Sequence, residues 1–425
     1  MTILYDATAL LLRRKEPVMT GIDRVDFALA FTLAERSLQG IQTTGFLIKT
    51  RHACGVIDAW RMQSLLGKML IARGIDQQPT KLLENLLTVL ANPPHVCGQV
   101  GALRLRKEQR RTTNWYAEFG TAAHVFARAQ SLSNFLRKSK WPIHYLHTSH
   151  YGFRHAGRFD WLKHNDIKTT FFIHDLIPID CPQFCSDGAS ASLRAGIALA
   201  AKYATRIAVN SQSTAKRLQC FLREEDLREP EIEIHRLGAG ILPGGTPYVA
   251  NTMQTLMHPF FVCPGTIEGR KNVRVLLDAW RLMSSQRKPE SVPWLVLAGQ
   301  RGWNNADLLH DLDVMTDIAP YIIEVSGLND VELASLSRLS SAVLVPSLAE
   351  GFSLSVAEAL KQNVNVIASD IEVHREISRG QGNFVDPKSA PAWVSAVTRI
   401  SRLKQDPFDR EWSEFSSQLI DRLDN

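Results

Sequence analysis

Compact apolar runs alternate with longer stretches whose apolar residues recur at helical spacing. Residues 2–6 (TILYD) and 43–49 (TTGFLIK) read as strands, and 142–147 (PIHYLH) and 168–174 (KTTFFIH) as buried parallel strands. An amphipathic run through Val25, Phe27, Ala28, Leu29 and Phe31 predicts a helix after Gly21-Ile22-Asp23-Arg24. A helix over 189–203, a strand over 206–210 (RIAVN) and a helix to about residue 222 follow, with Ser211 and Ser213 as candidate caps. IEIHRLG at 232–238 closes the first series. Residues 239–259 are rich in Gly, Pro, Asn and Thr and predict an interdomain linker. The second series has strands at 260–265, 294–299, 322–327, 342–347 and 365–369, with helices at 272–286, 354–362 and 389–403. The tail 409–424 has helical spacing at Trp412, Phe415, Leu419, Ile420 and Leu423.

This alternation predicts an α/β protein of two tandem doubly wound, Rossmann-like domains. The expected boundaries are 1–245, 246–405 and a C-terminal helix over 406–425 that packs back on the first domain. The region from about 56 to 140 reads as mostly helical, and its place in the fold is open. A length of 425 residues agrees with two or three domains at roughly 150 residues each. With 45% apolar and 22% charged residues the chain is an ordinary globular one, which argues against disorder and coiled coil.

Charge narrows the partners. Lys plus Arg is 49 and Asp plus Glu is 43, a net +6. That mild excess suits phosphorylated ligands or an anionic membrane surface, and alone it does not imply nucleic acid. No run of 18 apolar residues predicts a transmembrane helix, and the charges after the first apolar run do not match a secretion signal. Of six cysteines only Cys181 and Cys185 are close, with no second pair to complete a zinc site, so reduced cytoplasmic thiols and no metal are expected.

Open parallel sheets bind ligands at the carboxyl ends of their strands, and the second series carries its chemistry there. Pro264-Gly265-Thr266-Ile267-Glu268-Gly269-Arg270-Lys271-Asn272 departs from a nucleoside-triphosphate loop, because three residues separate its glycines and Asn follows the Lys. What remains is a flexible loop, two adjacent cations and a helix start, which together suit a diphosphate. Downstream, Glu350-Gly351-Phe352-Ser353-Leu354 leads into a helix carrying Glu358, with Ser353 as its expected cap. Two carboxylates across a strand-to-helix turn can accept from the vicinal hydroxyls of one ligand.

The Glu350–Glu358 segment resembles the E-x7-E signature of retaining glycosyltransferases of family 4, whose fold is of the GT-B type with two domains facing a cleft. FVCPGTIEGRKNVRVLLDAW, LVLAGQRGW, VSGLNDVELASLSRLSSAVLVPSLAEGFSLSVAEAL, IASDIEVHREIS and NFVDP follow that family's order. The first half agrees through Gly21–Arg24, IHDLIPI and VNSQSTAKRL. The resemblance implies that Glu358 holds the ribose of a nucleotide sugar and Glu350 contacts the donor sugar. It implies that Arg270 and Lys271 bind the diphosphate beside Gly265 and Thr266, and that Gly351, Phe352, Ser353 and Leu354 line the cleft. His174 would contact the donor sugar, Asp175 would order its loop, and Gly21 and Arg24 would close over the diphosphate and acceptor. The family often has Gly and Pro where Ser353 and Ser355 stand.

The reading is a retaining, metal-independent hexosyltransferase that needs no cofactor and uses a nucleotide-sugar donor and a glycan or lipid-linked saccharide acceptor. Mannose from GDP-mannose is its first donor, and cell-surface polysaccharide synthesis its setting. The rivals are a catalytically silent sugar-nucleotide binder of the same fold and a nucleotide-sugar epimerase-type enzyme. The basic run at 103–111 (LRLRKEQRR), followed by Trp115, Tyr116 and Phe119, reads either as a solvated helix face or as a contact to the inner face of the cytoplasmic membrane. No nucleic-acid module is recognisable.

Overall fold

The computed structural model describes residues 1–425 other than 15, 17–18, 51–52, 73–78, 93, 95–100, 107–128, 154, 165–166, 243–255, 257, 304, 401–407 and 424–425. Most of the linker expected at 239–259, and the basic and aromatic residues expected at 107–119, lie outside the described residues.

Two seven-stranded sheets form two lobes. The strands are β1 (Thr2–Asp6), β2 (Thr43–Lys49), β3 (Cys54–Ile57), β4 (Leu103–Arg106), β5 (Ile143–His147), β6 (Lys168–Ile173), β7 (Arg206–Val209) and β8 (Glu231–Ile234). They continue as β9 (Phe260–Pro264), β10 (Trp294–Ala298), β11 (Ile322–Ser326), β12 (Ala342–Val345), β13 (Val366–Ser369) and β14 (Asn383–Val385). The helices that matter below are α1 (Gly21–Leu38), α2 (Lys81–Leu90), α3 (Gln212–Glu224), α4 (Val273–Gln286), α5 (Ala306–Val314), α6 (Asp330–Leu339), α7 (Leu354–Lys361), α8 (Glu372–Ile377) and α9 (Trp412–Leu423).

The first sheet runs β3-β2-β1-β5-β6-β7-β8, parallel except for β3 on β2. The second runs β14-β13-β12-β9-β10-β11-β4 and is parallel throughout. The central strands read as unbroken apolar runs because helices cover both faces, and β1, β5, β10 and β12 are buried along their whole length. The chain is thus two Rossmann-like α/β lobes, as the alternation predicts.

One assignment needs correction. Residues 1–245 do not all belong to the first lobe, because β4 is the edge strand of the second sheet, with Arg104 opposite Glu324 and Arg106 opposite Ser326. Its L-R-L-R alternation turns Leu103 and Leu105 toward α2. Leu82, Leu83, Leu86 and Leu90 of α2 pack against Phe260, Val262, Val296 and Ile323 of that sheet. Residues 103–106 are therefore a strand, and the expected helix face does not form there. A four-residue alternation inside a basic run gives too short a period to distinguish from a charged surface.

The tail helix α9 packs against α1. Thr32 and Ser416 share a hydroxyl hydrogen bond of 2.8 Å, and Arg422 pairs with Glu233 at 3.0 Å. Trp412, Phe415, Leu419, Ile420 and Leu423 join a core that includes Leu29 and Leu33 of the first lobe and Val343 and Val356 of the second. Among the described residues no helix is long and apolar enough to cross a membrane.

Phe415 has no exposed surface. Phe415→Ala should therefore cost about 3–5 kcal/mol of stability, read by denaturant unfolding of the full chain. A cost below about 1 kcal/mol would show that α9 is not part of the shared core.

Candidate active site

The strands of both sheets end in loops that meet between the lobes. The loop after β9 brings up Arg270 and Lys271 in a short 3-10 turn, and Asn272 follows in the left-handed region at φ 54°, a conformation Asn tolerates. The Asn272 side-chain amide donates to the carbonyls of Pro346 and Pro387 at 3.1 and 2.8 Å. It thereby ties this loop to the strand ends that carry Glu350.

Glu350 is the hub. Arg270 donates to its Oε2 at 2.8 Å, Lys271 to its Oε1 at 2.6 Å and Ser347 to its Oε1 at 2.8 Å. Arg270 also pairs with Glu268 at 2.7 Å and donates to the Ala349 carbonyl at 3.0 Å. Burial favours the neutral form of Glu350, but the charges of Arg270 and Lys271 outweigh it and hold the carboxyl well below the usual carboxylate range. Burial likewise works against the Arg270 charge, and Glu350, Glu268 and Asp175 overcome it. The sequence reading gave Glu350 to the donor sugar. In the structure its two oxygens hold the two cations, which makes it the group that orients them.

Glu358 rises from α7 on the same rim. Arg24, in the first turn of α1, donates to Glu358 Oε1 and to Asp330 Oδ1, the latter at 2.8 Å. α1 begins on a capping box in which the Thr20 hydroxyl accepts from the Asp23 N–H and the Asp23 carboxylate accepts from the Thr20 N–H. That box fixes the helix start that aims Arg24 across the cleft. Burial raises the Glu358 pKa, Arg24 opposes the rise and Asp330 adds to it. The cavity beside Glu358, lined also by Arg24, Asp330 and Gln362, holds only about 30 Å³. That is space for roughly one or two waters, so with Arg24 on Glu358 the cavity is filled by the protein's own side chains.

His174 follows β6, and its carbonyl lies against Gly351, the neighbour of Glu350. Its Nε2 lies 2.6 Å from the Thr148 carbonyl, which can only accept, so Nε2 carries the hydrogen and Nδ1 is left as an acceptor. Burial, then the neighbouring His150, lowers its pKa to about 3, so the ring is neutral at physiological pH. Asp175 stays local, accepting from the Ile177 N–H at 3.0 Å.

Gly351 makes one of the close contacts between the lobes. A Cβ there would come within 2.4 Å of the His174 carbonyl oxygen and 2.9 Å of the Asp175 Cβ. Ser211 donates to the Gly351 carbonyl at 2.7 Å while accepting from the Thr214 N–H at 3.0 Å. Ser211 is thus the cap of α3, and Ser213 lies inside the helix. The carboxylate of Glu376, on α8, accepts from the N–H groups of Gln212 and Ser213 at 2.8 and 3.1 Å, so an acid of the second lobe seats the start of a first-lobe helix.

Ser353 does not cap α7. It sits at the N-cap with φ 65° and ψ 69°, makes no side-chain cap bond, and its buried hydroxyl has no partner among the described residues. Glycine adopts such a left-handed backbone without strain, and serine does not. Gly21 and Leu354 begin α1 and α7, Phe352 lies just before α7, and Gly265 and Thr266 follow β9. Leu354 Cδ1 lies 3.2 Å from where a Cβ of Gly21 would be, and Gly265 takes a left-handed φ of 110°.

The sequence reading missed Asp330, Glu376 and His374. His374 is buried on α8, donates through Nδ1 to the Ser369 carbonyl at 2.8 Å, and feels the Glu350 charge. The motif containing it is legible, but its orientation toward Glu350 is not. Among the described residues no group of three His, Cys, Asp or Glu side chains could hold a metal ion.

Two outcomes test this geometry. Ser353→Gly should raise stability by about 1 kcal/mol in chemical denaturation, because it removes a left-handed non-glycine residue and a buried unpaired hydroxyl. Gly351→Ala should lower it by about 1–3 kcal/mol, because backbone from both lobes must give way. A neutral Gly351→Ala would mean that the lobes do not meet there.

Comparison with known proteins fits this arrangement. The family model described as glycosyl transferases group 1 matches residues 254–418. The serotype-specific mannosyltransferase WbdA of Escherichia coli is 26% identical over 220 residues, covering 49% of this chain and 27% of that protein. The O-antigen chain mannosyltransferase B of the same organism is 30% identical over 153 residues, covering 36% of this chain and 38% of that protein. The chain thus spans well under half the length of these curated relatives. In fold, the N-terminal domain of Candida albicans trehalose-6-phosphate phosphatase superposes with a TM-score of 0.59 at 12% identity, covering 99% of this chain and 96% of that one. The trehalose 6-phosphate synthase of Burkholderia multivorans gives a TM-score of 0.57 at 11% identity, covering 100% and 96%. The second lobe thus matches the family model of the group 1 glycosyltransferases, and the whole length of the chain has the two-lobed fold of those structures.

Proposed function

We propose that this chain is a retaining hexosyltransferase that moves mannose from GDP-mannose to a glycan or lipid-linked saccharide acceptor in cell-surface polysaccharide synthesis. The observation that carries the reading is the Arg270–Glu350–Lys271 cluster at the strand ends, beside the point where Gly351 meets the His174 backbone. The mannosyl donor is suggested by the names of the sequence relatives.

In this reading Arg270 and Lys271 grip the donor diphosphate, with Glu350 holding both at fixed spacing. Their charge lies where negative charge grows as the nucleoside diphosphate leaves, and it is preorganised by contacts already made. Glu358 keeps one oxygen on Arg24 and offers the other to the vicinal ribose hydroxyls. Neutral His174 accepts from a hydroxyl of the transferring sugar through Nδ1. The departing phosphate oxygen takes the acceptor proton on the face from which it leaves, so the anomeric configuration is kept. Lobe closure around Gly351 excludes water and limits donor hydrolysis. The chain works in the cytoplasm, where nucleotide sugars are made, and its acceptor brings it to the inner face of the membrane.

Thermal shift across GDP-, UDP-, ADP- and dTDP-sugars identifies the donor, since a ligand at 100 times its Kd adds about 2.7 kcal/mol. GDP-mannose should stabilise the chain, and Glu358→Ala should abolish that gain. Lys271→Met should slow transfer of labelled mannose about 10²–10³-fold. Unchanged donor affinity in Glu358→Ala sinks the ribose role. No labelled product from any donor would leave a silent binder, and an altered free nucleotide sugar would indicate an epimerase.

A further inference from the structure

The second lobe has a further cavity that the donor reading does not use. It lies at the carboxyl ends of β10, β11 and β4, has about 380 Å³ of room, and is lined by Arg104, Arg106, Gln300, Arg301, Glu324 and Ser326. Gly299, at the end of β10, forms its inner wall. A Cβ there would fall 1.8 Å from the Gly265 carbonyl oxygen, so the wall also backs the loop leading to Arg270.

The charges in the cavity are organised around Glu324, which is 6% exposed. Arg301 forks onto both its oxygens at 2.8 and 2.7 Å, and Arg104 reaches Oε1 at 3.3 Å. Both arginines also pair with Asp313 of α5, Arg301 at 2.7 and 3.1 Å. Two carboxylates are thus answered by two guanidiniums. Arg106, at the end of β4, has no ion pair among the described residues and leaves the cavity with one cation in excess.

Charges on a sheet edge often serve only to discourage strand pairing. That role does not call for a roomy cavity, nor for an arginine from a second strand-end loop converging on the same place. Guanidiniums fixed by carboxylates are oriented before a ligand arrives, and their planar donors match phosphate oxygens in pairs.

We propose that this cavity is a second phosphate site, built by the β4 excursion, that takes a phosphate-bearing ligand other than the donor. Arg106 is its free contact, and Arg104 and Arg301 are its preset walls. The site goes beyond the donor reading and does not depend on it. The phosphate would come either from a soluble phosphorylated compound or from a lipid headgroup.

The test uses calorimetric titration of inorganic pyrophosphate into the full chain carrying Arg270→Gln and Lys271→Gln, which removes the donor cations. Saturable one-to-one binding should persist there. Adding Arg106→Gln should weaken it about tenfold, and Arg106→Glu should abolish it. Both changes are on an exposed side chain, and an unchanged melting temperature verifies the fold. Flotation with phosphatidylglycerol vesicles separates the two sources. Vesicle binding that pyrophosphate competes away and Arg106→Glu removes points to a headgroup, whereas pyrophosphate binding without flotation points to a soluble ligand. The proposal is overturned if the 270/271 double variant binds no pyrophosphate, or if both Arg106 variants bind it as tightly as their parent.

Discussion

A buried carboxylate that stays ionised is the constraint on which the cleft rests. Glu350 is nearly out of water, and a lone charge there would cost several kcal/mol. Two cations from one loop, a hydroxyl from the strand end and the tie from Asn272 make its ionised form the stable one. Because those partners come from the ends of β9 and β12, neighbours in the sheet, the cluster forms only if the strands are in register. Sheet order, loop length and site electrostatics are thus one requirement.

The same economy holds between the lobes. Arg24 of the first lobe satisfies two acids of the second, and Glu376 of the second satisfies the start of a first-lobe helix. Gly351 permits the backbones to approach, and Ser211 converts that approach into a hydrogen bond. These contacts are polar, so water can replace them at modest net cost if the lobes part. The apolar seal is elsewhere, at α9, where Phe415 and Leu419 make the two lobes continuous.

Much of this was legible in the chain. Near-continuous apolar strands and helical spacing mark most of the elements, and the run from Gly265 to Glu358 marks the candidate site. What was hidden depends on three-dimensional pairing. Arg24 reads as a loop cation, and only the capping box and the lobe contact direct it to Glu358 and Asp330. Glu350 reads as a ligand for sugar hydroxyls, and only its distances show that Arg270 and Lys271 each hold one of its oxygens. Ser353 looks like a cap by residue type, but its left-handed backbone turns the hydroxyl away. β4 is four residues long with charged alternate positions, and nothing local reveals that its partner, β11, lies more than two hundred residues downstream.

That long-range pairing has a consequence for how the protein comes into being. The leucines of α2 and β4 emerge from the ribosome far ahead of the strands they cover, so an apolar surface must wait for its template while the rest of the first lobe folds. The two lobes therefore cannot mature as independent beads on a string. The nascent chain carries an unpaired edge through much of its synthesis, and completion of the later sheet, rather than of the earlier one, brings both to their final form.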